Sequence, residues 1–290
     1  MSKLIAGEIR TLTVNREADF GYFLIDDNPK DRVLLHKNEM TNDDLQVGDE
    51  VEVFLFHDKE GRLSATMSIP HITLDTYGWG TVEGYRKNLG VFVNIGISKD
   101  MLVSVDELPF HYNVWPKKED KLYITLKHDK TGRLFAKLAT DDVIWDMSVD
   151  APNTMMNKVV KGYIYKTKKV GSYLISEEGY CCFIHESQRE REPRLGQYVE
   201  ARVIDCKEDG TLNVSLLPLK QDKMQDDSQI ILQYLQIRGG AMPYSDKSTP
   251  DDIKRTFEMS KAAFKRALGK LMKDGEIYQE DGWTYTSDRK

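Results

Sequence analysis

Apolar and polar positions alternate with a period of two through most of the chain up to Leu219, and fall at helical spacing after it. Val51-Glu52-Val53-Phe54-Leu55-Phe56 and Tyr198-Val199-Glu200-Ala201-Arg202-Val203-Ile204 read as strands, rich in β-branched and aromatic residues. Lys59-Glu60-Gly61 and Glu208-Asp209-Gly210 then supply a glycine that can take a positive φ, which marks hairpin turns.

This layout recurs three times. Gly7-Glu8-Ile9, Gly80-Thr81-Val82 and Gly162-Tyr163-Ile164 begin the repeats. A glycine with an aromatic two residues on follows, in Phe20-Gly21-Tyr22-Phe23, Leu89-Gly90-Val91-Phe92 and Val170-Gly171-Ser172-Tyr173. Next comes an apolar strand that ends at His36, Ser104 or His185, and then a hairpin beginning near Asp58, Asp129 or Cys206. Gly21, Gly90 and Gly171 lie 69 and then 81 residues apart, too uneven for a stacked solenoid. About five short strands per repeat predict small closed barrels, since closure removes the exposed edges of so small a sheet. Three independent barrels on different linkers are expected, at residues 1–69, 75–145 and 153–219.

Residues 220–228 are polar and charged, and then Ile230, Ile231, Tyr234, Leu235 and Ile237 recur at helical spacing before Arg238-Gly239-Gly240 stops the helix. Thr249-Pro250-Asp251-Asp252 starts a second helix with a cap, an N1 proline and first-turn acids. Ser260 starts a third, with Ala263, Phe264, Ala267, Leu268 and Leu271 on one face. A hairpin around Asp281-Gly282 closes a winged-helix pattern over 224–287. The predicted class is mainly β and multidomain: three tandem five-stranded OB-type barrels, then an α+β winged helix.

Composition narrows the function. The net charge of −6 argues against coating nucleic acid by bulk charge and leaves open a local basic or aromatic face. The mean hydropathy of −0.52 and the lack of a long apolar run exclude a membrane-spanning helix. Met1 to Glu8 meets an acid before any apolar core, so no secretory signal is expected. Cys181, Cys182 and Cys206 form no disulfide framework and suit a reducing cytoplasm. Cys181 and Cys182 point to opposite sides of one strand, so at most one faces solvent. No phosphate-binding loop, H-E-x-x-H helix, C-x-x-C pair or G-x-S-x-G elbow occurs, and the six histidines lack metal-ligand spacing. No enzyme, cofactor or metal is expected.

Two basic stretches stand out. Lys158, Lys161, Lys166, Lys168 and Lys169 interleave with Tyr163, Tyr165 and Tyr173, which suits a groove tracking a nucleic-acid backbone or a solvated edge that blocks sheet pairing. Lys261, Lys265, Arg266 and Lys270 project from the Ser260 helix, which would enter a groove in a DNA-binding winged helix. The run Arg189-Glu190-Arg191-Glu192-Pro193-Arg194 nearly cancels itself and reads as a loop.

The repeats resemble S1 domains, which bind single-stranded RNA, and three of them before a winged helix resemble the conserved virulence factor B family. That resemblance implies RNA contacts at Phe20, Phe23, His36, Asp58 and Arg62 in the first repeat. It implies Phe92, Asp129 and Arg133 in the second, which departs from the pattern at Leu89 and Ser104. In the third it implies Tyr173 and His185, with departures at Val170 and Thr211. Phe23 and Phe92 can equally point inward to fill a barrel, and His36 and His185 can cap strand ends. The implied activity is single-stranded RNA binding linked to gene regulation, without catalysis. A DNA-binding regulator, or a scaffold for ribosome-associated factors, is the alternative.

Overall fold

The computed structural model describes residues 3–26, 31–41, 44–218 and 220–289, with backbone only for 220–226. Met1, Ser2 and Leu219, at the edges of the expected domains, lie outside the described residues.

The first barrel comprises β1 (Ile9–Ala18), β2 (Gly21–Ile25), β3 (Arg32–His36), β4 (Glu50–His57) and β5 (Leu63–Thr66). They close in the order β1-β2-β3-β5-β4, with β3 and β5 parallel and the other neighbours antiparallel. The second barrel repeats this ring with β6 (Gly78–Arg86), β7 (Gly90–Asn94), β8 (Met101–Ser104), β9 (Lys121–His128) and β10 (Leu134–Leu138). A helix, α1 (Asp141–Met147), leads to the third: β11 (Val159–Lys168), β12 (Gly171–Ser176), β13 (Cys181–His185), β14 (Tyr198–Cys206) and β15 (Leu212–Ser215). The first strand of every barrel carries a register shift, at Val14/Arg16, Val82/Gly84 and Ile164/Lys166. Such a bulge bends the strand around the barrel and re-aims the next side chain.

Inward-facing residues fill each barrel. In the first they include Leu12, Val14, Leu24, Leu35, Val53 and Leu55. The barrels are not independent, and the chain up to Leu216 packs as one compact unit. Phe54 and Phe56 lie on the outer side of β4, yet both are buried in one cluster with Ile72, Val91 and Ile124. Lys99 Nζ donates to the carbonyls of His57 (2.6 Å) and Asp58 (2.8 Å), and His128 Nε2 lies 2.7 Å from the Ala6 carbonyl. The second and third barrels meet through Leu195, a ring ladder Tyr123–Trp79–Tyr163–Tyr198, and a fork from Arg194 to Asp120. The run from Arg189 to Arg194 is a loop, but its charges do not merely cancel. Arg189 is a side-chain clamp on Ser172 and on the Lys168 carbonyl.

The remainder forms a second unit. It has α2 (Lys220–Ile237), a two-residue strand β16 (Ala241–Met242), α3 (Pro250–Phe257), α4 (Lys261–Lys273), β17 (Ile277–Glu280) and β18 (Trp283–Thr286). The sheet order is β16-β18-β17, the wing of a winged helix with an extra strand too short to see in the sequence. The polar stretch 220–228, which shows no helical apolar period, is already part of α2. It contains neither glycine nor proline, and lysine, glutamine and methionine support a helix without any apolar stripe. Thr249 Oγ1 and Ser260 Oγ cap α3 and α4 as the sequence predicts. Ala263, Phe264, Ala267, Leu268 and Leu271 are all buried.

Candidate nucleic-acid interface

On the first barrel Phe23 faces outward, because its neighbours Tyr22 and Leu24 take the interior. Phe20 is half exposed and meets Phe23 edge to face at 6.2 Å. The bulge after Val14 sets Arg16 opposite Phe23, and its guanidinium lies 4.7 Å from the ring centroid. Sequence reasoning did not single out Arg16, and a bulge is its only signal. His36 is exposed and its Nδ1 accepts from the Asn38 amide at 3.1 Å, capping a turn of 3-10 helix. His185 and Ser104 make the same cap in the other barrels, which explains why serine can replace histidine there. Because Nδ1 accepts in this cap, the neutral ring carries its proton on Nε2, which can only donate.

The hairpin acids are committed to their own turns. Asp58 accepts from the Glu60 and Arg62 amides (3.0 and 2.8 Å) and from Arg62 Nε (2.8 Å). Burial works to raise its pKa, but hydrogen bonds from Arg62 outweigh this and hold the carboxyl below its ordinary range. Asp129 is likewise held low, by the Thr131 hydroxyl and the Arg133 amide. Both carboxylates shape the loop, while Arg62 stays exposed at its tip.

The third barrel carries an aromatic row of its own. Tyr165, Tyr173, Phe183 and His185 follow at centroid spacings of 6.0, 5.1 and 6.3 Å. Lys166 lies over Tyr173 at 5.4 Å and is ion-paired with Asp141 of α1. Lys168, at the end of β11, and Lys169, on the following turn, are exposed. Lys161 belongs elsewhere, paired with Glu200 at 2.6 Å near Tyr198, five residues down the strand from Lys166. Tyr163 is drawn into the seam against Trp79, so the lysine–tyrosine run divides between two patches.

Phe92 of the second barrel also faces outward, with Arg86 at 5.7 Å. Its cross-strand neighbour is Leu102, where the third barrel has Phe183, so the platform is smaller. Arg133 lies in a cleft with His57 and Lys99 between the first two barrels rather than beside Phe92. Burial, then the charges of Lys99 and Arg133, lower the pKa of His57. A histidine held neutral by the fold contributes stability that is present above its unfolded value and lost as pH falls through the folded one. Lowering the pH from about 7 to about 5 should therefore destabilise the wild type more than His57→Gln, as read from urea melts.

Neither Cys181 nor Cys182 reaches solvent, because Ile144 of α1 covers Cys181. Burial raises both thiols, so they remain protonated and inert. Among the described residues no cluster of ligands could hold a metal, and no helix is long and apolar enough to cross a membrane.

On α4, Lys265 and Arg266 are exposed opposite the buried face, while Lys261 and Lys270 are half-buried. Lys265 lies 3.9 Å from Asp246.

Three S1-type barrels followed by a winged helix define a protein of nucleic-acid-binding architecture. Residues 6–68 match the S1 domain, 77–137 the CvfB first S1-like domain, 144–218 the second domain of virulence regulatory factor CvfB, and 229–285 the CvfB-like winged helix domain. YitL of Bacillus subtilis is 53% identical, covering 96% of this chain and 93% of its own. Conserved virulence factor B of Staphylococcus epidermidis is 37% identical, covering 97% and 95%. A crystal structure of a multidomain protein with nucleic acid binding domains from Streptococcus pneumoniae is 40% identical, with a TM-score of 0.67 over 97% of this chain and 98% of that one. The chain belongs to the conserved virulence factor B (CvfB) family. Its matched domains are binding folds and not a catalytic family.

Proposed function

We propose that this protein binds single-stranded RNA on the aromatic faces of its barrels and acts, without catalysis, in the regulation of gene expression. The observation that carries this is the row Tyr165–Tyr173–Phe183–His185 with Lys166 over Tyr173, matched by Arg16, Phe23 and Phe20 on the first barrel. Single-stranded RNA exposes flat bases beside a charged backbone, and outward rings flanked by cations complement both. The S1 matches and the names of the relatives support RNA and a regulatory role. Phe20, Phe23, His36, Arg62, Phe92, Lys168, Lys169, Tyr173 and His185 form this surface. Asp58 and Asp129 serve it indirectly by shaping the hairpins. The exposed Lys265 and Arg266 favour a second reading, duplex DNA binding by α4.

Fluorescence anisotropy of the full chain with single-stranded RNA, single-stranded DNA and duplex DNA, at two salt concentrations, separates the two. The F20A/F23A/H36A variant should lose about tenfold or more in RNA affinity, since stacking contributes about 1–3 kcal/mol per base. Unchanged affinity in that variant combined with Y173A/F183A would sink the reading. Duplex binding abolished by K265E/R266E, with RNA bound weakly, would move the function to the winged helix.

A further inference from the structure

We propose that α1 completes a nucleotide subsite on the third barrel, with Trp145 as its base-stacking platform. This rests on the RNA-binding reading above and adds a residue that lies outside every barrel.

The position of Trp145 follows from its neighbour. Ile144 is fully buried against Ile175 and Cys181, which fastens α1 to the outer wall of the third barrel. Successive helical side chains diverge by about 100°, so fastening Ile144 turns Trp145 away from that contact. Its side of α1 borders a groove of about 340 Å³ whose other walls include Tyr173, Phe183, Lys166, Lys168 and Lys207. Trp145 is 49% exposed there. A half-wet indole adds little to a fold, whereas an indole on a rigid helix is a pre-oriented stacking surface.

The chemistry of the walls selects the occupant. The volume is at the small end of the range for small-molecule sites, about 300–1,000 Å³, and suits a single nucleotide. Of the two acids at the groove, Asp209 is occupied by the amide and hydroxyl of Thr211, and Asp141 by Lys166. Lys168 and Lys207 add positive charge for a phosphate. The Asp141–Lys166 pair is exposed enough to be weak, so a phosphate can replace the carboxylate on Lys166. A base inserted between Trp145 and the Tyr173–Phe183 rings would extend the barrel's own row by one stacking position.

The test uses the full chain and a labelled single-stranded oligouridylate. W145A should weaken binding by about tenfold, and W145F by no more than about threefold, because phenylalanine keeps a stacking face. RNA should quench tryptophan fluorescence in the wild type, and W145F should lose most of that quench. Wild-type affinity in W145A, together with an undiminished quench in W145F, overturns the subsite while RNA binding by the barrels stands. Failure of the wild type to bind the RNA overturns both. If W145A does not fold, the quench and affinity of W145F decide alone.

Discussion

Alanine at Gly90 should abolish the folded second barrel. Gly90 has φ +135°, where side chains other than hydrogen are rarely accommodated, and a Cβ built there falls 1.9 Å from the Val103 carbonyl oxygen. The obstacle is backbone on β8, paired with β7 through Gly90 and Ser104, so no rotamer change relieves it. The cost should exceed about 4 kcal/mol, a large part of the stability of an ordinary domain. Loss of this barrel also uncovers Phe54 and Phe56 of the first, so the damage should spread through the unit. Urea denaturation followed by circular dichroism, with limited proteolysis, reads the result. Gly84→Ala is the control, because a Cβ there meets nothing within 4 Å and should change stability by less than about 1 kcal/mol. Equal melts for the two variants would show that the close approach at Gly90 is not what requires glycine.

Arg194→Ala should open the seam between the second and third barrels. Arg194 Nε and Nη2 reach the two oxygens of Asp120 at 3.0 and 2.9 Å, and Asp120 is only 7% exposed. Without the guanidinium that carboxylate keeps the Lys117 amide at 2.7 Å but loses its countercharge in a buried site. Breaking a buried pair costs about 3–5 kcal/mol, and the partial exposure of Arg194 places this one near or below the lower end. Hydrogen exchange should accelerate at Lys121, whose amide bonds the Gly196 carbonyl across the seam. Arg194→Lys should not restore it, since one ammonium cannot reproduce the fork. The double variant R194A/D120A should recover part of the loss, because it no longer buries an unpaired charge. RNA affinity should fall as well, although neither residue is on a ring face. Modules held in one frame bind as a multivalent surface, and a loosened frame lowers the effective concentration of the second site.

Much of this architecture could be read in one dimension because local rules specify it. The glycine of each repeat marks the place where one strand presses on the backbone of the next, and at Gly21 and Gly90 the φ is one that glycine takes readily. The period-two run Val51–Phe56 is a strand whose Val51, Val53 and Leu55 line the interior, and the capping residues Thr249 and Ser260 mark helix starts. The outward aromatics at Phe23, Phe92 and Tyr173 follow from the same alternation once the strand is known.

What alternation cannot say is what lies over an outward face. Phe54 and Phe56 point out of their barrel just as Phe23 does, yet the second barrel covers them while Phe23 remains at the surface. Arg133 and Lys161 share the types and spacing of binding cations, but packing sends one to a cleft and the other to Glu200. Trp145 carries no repeat signature at all, and only the burial of Ile144 against the third barrel gives it a place beside the aromatic row. The sequence by itself determined strand, turn, cap and interior, because these depend on residues near one another in the chain. Which outward side chains meet solvent, and which distant residues share a groove, was decided by the tertiary structure, because barrel-to-barrel contact joins positions that no local periodicity relates.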